Sequence, residues 1–280
     1  MQGRVIAEKE KALLWQVVRG ICILAVILIH CPNGIPYGTG SNEFRIWFLL
    51  RSFYNFPVAM FFFMAGYFVN YEYCQKARNH FYIKRLYRLI VPFFFWSVFY
   101  TLTTVLFSEL NNSTVKSARL FDLFIKGKAG PQLYFVLVLL QLTIITPYLI
   151  GTLNKTTLKS LMLYCITPAY LVLLYVYCFK AKALPSRYFL FFPAWFVFYY
   201  LGLHIQKKNT FVRFLNSYIL LFIALLLSIA ESFYLLLNTG VVSFACSQIR
   251  FCNFFFDLAI SLRTSLVVLS VSSLKRTCFS

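Results

Sequence analysis

The chain has 280 residues, 60% hydrophobic and 12% charged, with a formal net charge of +19 and a mean hydropathy of +0.73. Soluble globular chains carry about 25% charge and about 45–50% apolar residues, so this composition excludes an ordinary soluble domain and indicates an integral membrane protein. The positive charge does not mark a nucleic-acid partner: Lys and Arg sit in short segments between apolar runs, where they orient spans and meet anionic lipid headgroups, and no RNA- or DNA-reading motif is present.

Eight apolar runs of 18–21 residues are expected to cross the membrane as helices, at 13–30, 52–70, 89–107, 132–150, 161–179, 188–205, 218–237 and 251–271. At 1.5 Å per residue each covers a hydrocarbon core of about 30 Å. The runs are continuous rather than alternating, which excludes a β-barrel. The fold class is therefore all-α, a polytopic transmembrane helical bundle in one domain over residues 1–280.

The first run follows a basic start (Arg4, Lys9, Lys11), but no small-x-small cleavage site follows it, so it reads as a span rather than a signal peptide. It contains "RGICILAVILIH", with Arg19 and His30 eleven residues apart. In an α-helix that is about three turns, so both positions lie on nearly one face, about 16 Å apart along the axis. An arginine at depth in lipid faces the bundle interior or a wet cavity, or snorkels to the interface. A histidine near the outer interface has a reference pKa of about 6.5 and suits general-base work. The plainer reading makes Arg19 a cytoplasmic anchor and His30 an interface residue; from the residues alone the two readings balance.

The second run holds "FPVAMFFFMAG" (56–66), echoed by "FPAWFVFYYLG" (192–202) in the sixth. Each places a glycine nine residues after a proline, in an aromatic-rich setting. Proline can kink a membrane helix and glycine permits close packing. Two independent packing kinks are the favoured reading, ahead of an internal repeat.

After the second run comes "EYCQKARNHFYIKRLYR", with five basic residues against one acid, which should be cytoplasmic. Summed along the chain, the segments on that side carry 15 Lys/Arg against 10 on the other, so both termini are expected inside. Within it, Arg85 and Arg88 are i and i+3, neighbours on one helical face at the mouth of the third span. Paired guanidinium groups suit phosphate, and a helix N-terminus nearby would add free amides. Ordinary positive-inside anchoring is the plainer alternative and, on these residues alone, the favoured one.

The connection 108–131 has no apolar run and reads as a small external loop or interfacial helix. Further on, Glu231, Asp257 and Arg263 lie inside the last two runs, and a Glu231–Arg263 bridge between helices is the structural expectation. The eight cysteines contain no CxxC pair and lie mostly in apolar runs, so neither a disulfide framework nor a metal site is expected. His80 and His204 read as solvated and interfacial residues.

Taken in order, these stretches resemble the membrane acyltransferase-3 family, bacterial integral-membrane enzymes that O-acylate surface polysaccharides. "RGICILAVILIH" is similar to the arginine–ten residues–histidine opening of that family. "FPVAMFFFMAGYF" resembles its FF-x-x-SG-[YF] second span, and "KRLYRLIVPFFFW" its RxxR and proline-aromatic third span. "LYFVLVLLQLTIITPYL" and "AWFVFYYLGLHI" resemble later spans, so the likeness runs over roughly residues 12–206. Two features depart from the family pattern. Ala65 stands where the family often has serine, and the chain supplies eight spans where the family commonly has ten. Natural shortening, a truncated reading frame and an inactive remnant are the three readings of that length.

The resemblance implies acyl-CoA, usually acetyl-CoA, as donor, with its phosphates on Arg85 and Arg88. It further implies a thioester brought toward His30 as base, and Arg19 positioning or polarising the donor. The acceptor would be an envelope carbohydrate or lipid-linked sugar, and the location a bacterial plasma membrane. A transporter or flippase of an envelope precursor is the alternative from another class; strong repeats and interrupted helices would mark it.

Overall fold

The computed structural model describes residues 2–30, 56–110, 133–153, 157–181 and 188–207. Among these residues every regular element is helical and none is a strand, as the all-α reading requires. In chain order they are α1 (Gln2–His30), α2 (Phe56–Tyr67), α3 (Tyr71–Lys76), α4 (Arg78–Leu110), α5 (Leu133–Leu153), α6 (Thr157–Tyr164) and α7 (Ile166–Ala181). Two 3-10 turns follow, Tyr188–Leu190 and Phe192–Ala194, then α8 (Phe196–Lys207). Among the described residues, two helical stretches are long and apolar enough to cross a membrane, Arg78–Leu106 and Leu133–Leu153, matching the third and fourth expected spans. Shorter apolar helices cover Ala12–Leu28, Phe56–Tyr67 and Met162–Leu174. The expected spans at 218–237 and 251–271, with Glu231, Asp257 and Arg263, lie outside the described residues.

Three expected spans differ from one straight helix, each for a local reason. The second is helical over Phe56–Tyr67 among the described residues and ends before residue 70. It closes with the Phe68 N–H donating to the Met64 carbonyl, and Asn70 then caps α3 by accepting from the Tyr73 N–H at 2.9 Å. The fifth breaks at Cys165. Pro168 has no N–H for the Tyr164 carbonyl, so the ladder cannot run through, and the Cys165 N–H turns back to Met162 at 3.1 Å. The sixth begins as the two 3-10 turns and becomes α-helical only at Phe196.

The chain divides into two compact units. The first comprises Met1–Phe68, Leu171–Pro185 and Phe198–Ser280, the second Val69–Tyr170 and Ser186–Val197.

The first unit is built on aromatic packing and close backbone approach. α1 buries Trp15, Cys22 and Ala25 along one face. The Trp15 ring meets Tyr67 at 4.9 Å, Phe68 at 5.5 Å and Phe63 at 6.2 Å between centroids. α2 and α8 meet at their glycines. A Cβ on Gly66 would fall on the Tyr199 carbonyl and 3.2 Å from the Leu203 nitrogen; a Cβ on Gly202 would fall on the Phe63 carbonyl and 2.7 Å from the Tyr67 nitrogen. The two glycines of the sequence echo therefore serve one crossing, each letting the other helix's backbone in. Pro193 does not kink a helix: it lies in the turn before α8, a position that needs no donated N–H.

The second unit packs α4 against α5 and holds the irregular stretch 188–195 by side chains. Every carbonyl from Tyr188 to Pro193 has a donor. Tyr170 OH reaches Tyr188 at 2.8 Å, Trp195 Nε1 reaches Phe189 at 3.0 Å, and Gln141 Nε2 reaches Leu190 at 2.8 Å. Ala194 N–H serves Phe191 at 3.2 Å, Trp195 N–H serves Phe192 at 3.1 Å, and Thr167 Oγ1 donates to Pro193 at 2.7 Å. Gln141 Oε1 also accepts from Phe192 N–H, and Thr167 Oγ1 from Val197 N–H. Backbone outside a helix is tolerated in such a setting only when its polar groups find partners, and here the chain supplies them.

Candidate functional site

The candidate residues fall in two places, one in each unit. Helix α1 is unbroken from Gln2 to His30, so the eleven-residue spacing of Arg19 and His30 is a true helical spacing. Position 30 lies about 20° round from position 19, and both lie about 40–60° to one side of Trp15, at the border of the buried face. Arg19 is exposed, and its guanidinium stands 4.9 Å from the centre of the Phe68 ring, a cation–π contact. The Trp15 indole N–H, one turn before Arg19, is buried with no hydrogen-bond partner among the described residues. The His30 side chain lies outside the described residues.

Arg85 and Arg88 lie on α4, one turn apart. The expected helix N-terminus is not beside them: α4 starts at Arg78, so Arg85 is about 10 Å along the axis. The free amides belong to the first four residues, so they do not add to anion binding at Arg85 and Arg88. The two arginines also differ in setting. Arg85 is half-buried, its guanidinium 5.7 Å from the Phe81 ring centre, whereas Arg88 is exposed. Cys74, at the end of the short α3, is buried close enough to feel Arg85 and Arg78. Burial pushes its thiol above the usual range, while those two cations act in the opposite sense.

Sequence reasoning missed three participants: Phe68 under Arg19, Cys74 beside Arg85, and Gln141 on the 188–195 stretch. Only Gln141 left a signal, as a lone amide in the otherwise apolar "LYFVLVLLQLTIITPYL", where a polar group must find a partner. His204 packs its ring 6.2 Å from Tyr200 within α8.

No curated protein and no solved structure matches the chain. The acyltransferase domain of the acyltransferase-3 family matches residues 15–271, a stretch that contains Arg19, His30, Arg85 and Arg88. That stretch is most of the chain, and the protein is a member of the acyltransferase-3 family, a membrane acyltransferase.

Proposed function

We propose that the protein transfers an acyl group, acetyl in the simplest case, from cytoplasmic acyl-CoA to a hydroxyl of a cell-envelope or exported polysaccharide at the bacterial plasma membrane. The observation that carries this reading is the family match over residues 15–271, with Arg19 and His30 on one uninterrupted helix inside it. Arg85 and Arg88 would take the donor's phosphates, since guanidinium groups pair with phosphate oxygens by charge-assisted hydrogen bonds. The sugar hydroxyl attacks the thioester carbonyl. His30 takes its proton, the C–S bond breaks as the C–O ester forms, and the proton leaves with the coenzyme A thiol. Arg19 polarises or positions the donor while charge develops on the carbonyl oxygen.

The test is mass spectrometry of envelope carbohydrate from cells with and without the gene. A gain of one acetyl mass per modified sugar is expected. His30→Ala should lower acylation by about 10²–10⁴-fold while the protein still inserts in the membrane. Unchanged acylation in that variant would sink the assignment.

The broken lead-in at 188–195 favours a second reading, a transporter or flippase of an envelope precursor, because such proteins use interrupted helices. Movement of the precursor across vesicles without any acyl product would select it.

A further inference from the structure

Helix α4 is exposed over most of its surface, and one line along it begins with two cations. Lys84 and Arg88 are i and i+4, and the same line continues through Val91, Phe95, Val98 and Leu102, all exposed at 45%, 62%, 45% and 56%. These six positions fall within an arc about 80° wide, so they form one straight stripe, cationic at its start and apolar for about 20 Å beyond. The Lys84 ammonium is 5.8 Å from the Tyr73 ring centre, which holds it near the helix without neutralising it. Among the described residues neither Lys84 nor Arg88 has a carboxylate partner, because the acid of this segment, Glu72, pairs with Lys76 at 3.7 Å. Two cations without a carboxylate partner, above an apolar track, suit a headgroup phosphate with an acyl chain below it.

We infer that the Lys84–Arg88 stripe of α4 is a binding site for an anionic phospholipid, its phosphate held between the two cations and one acyl chain lying along Val91, Phe95, Val98 and Leu102. This goes beyond the acyl-transfer reading and does not depend on it. Net charge selects the occupant: a zwitterionic lipid offers the same phosphate, but its own ammonium offsets the attraction of two cations. Each basic residue near an anionic surface contributes about 1 kcal/mol, which is about fivefold in preference.

The test uses the full chain in nanodiscs of equal phosphatidylcholine and phosphatidylglycerol, with retained lipid counted by native mass spectrometry. Phosphatidylglycerol should be enriched over its bulk share. Lys84→Gln and Arg88→Gln should each lower that enrichment about fivefold. Lys84→Arg should keep it, which separates charge loss from misfolding. Retained lipid at the bulk ratio, or enrichment that survives the double variant, would overturn the site. So would inorganic phosphate displacing the retained lipid at matched concentration, or a dimer that covers the stripe. Because the donor reading also uses Arg88, coenzyme A binding is titrated separately in phosphatidylcholine alone. The two ideas therefore fail independently.

Discussion

The two units are held together by opposite means. In the first, α2 and α8 are joined by backbone against backbone at Gly66 and Gly202, with Trp15 closing an aromatic cluster on α2. In the second, side chains of Gln141, Thr167, Tyr170 and Trp195 hold a stretch of chain that is not α-helical. Lipid gives helices no hydrophobic reason to meet, so a membrane protein relies on close packing or on hydrogen bonds. Close packing leaves no polar group to satisfy but tolerates no added atom. Side-chain bonding permits irregular backbone but depends on each donor.

The contrast is sharpest under substitution. Gly202→Leu should be the most damaging change, because its Cβ already meets the Phe63 carbonyl; a loss of about 3 kcal/mol is expected in detergent unfolding. Pairing it with Gly66→Leu should cost clearly less than the sum of the singles, since both destroy one crossing. Strict additivity would show that the glycines are not coupled. Next, Gln141→Leu should cost about 2 kcal/mol by stranding the Leu190 carbonyl and the Phe192 N–H. Faster hydrogen exchange confined to 188–197 is the matching signature, and a global change in protection would contradict local clamping. Tyr170→Phe removes one donor from a half-buried site and should cost about 1 kcal/mol, with exchange rising near Tyr188.

The smallest effect concerns Cys74. Its thiol titrates higher in the folded protein than in the unfolded chain, so the folded state holds the proton longer. The resulting stability is present below the ordinary thiol pKa of about 8.5 and is lost as pH rises through the folded value. Unfolding measured across that alkaline window should show a slope that Cys74→Ala flattens. Arg85→Gln should steepen it, because removing a neighbouring cation raises the thiol pKa further.

Much of this was legible in the residues. The runs at 89–107 and 132–150 became helices because nothing in them competes with the helical ladder beyond a single proline each. Arg19 and His30 kept their spacing because α1 has no proline between them and runs on through Gly20. The start of α4 was misjudged: the polar segment before Leu89 lacks an apolar run, yet it also lacks any glycine or proline, so the helix extends back to Arg78. The break at 188–195 was hidden because "YFLFFPAWFVFYYLG" is apolar throughout, and the bonds that hold it come from α5 and α7. The Phe68 contact to Arg19 is tertiary and has no local signature.

The glycine crossing also sets an order of events during synthesis. Gly66 lies on α2, and its partner helix α8 is encoded far downstream. At about 5–20 residues per second, the chain between Gly66 and Gly202 takes on the order of ten seconds to emerge. Throughout that interval the face of α2 at Gly66 lacks the backbone it packs against in the folded protein. The crossing makes the first unit a late-assembling part of the protein, completed only after most of the second unit has been synthesised.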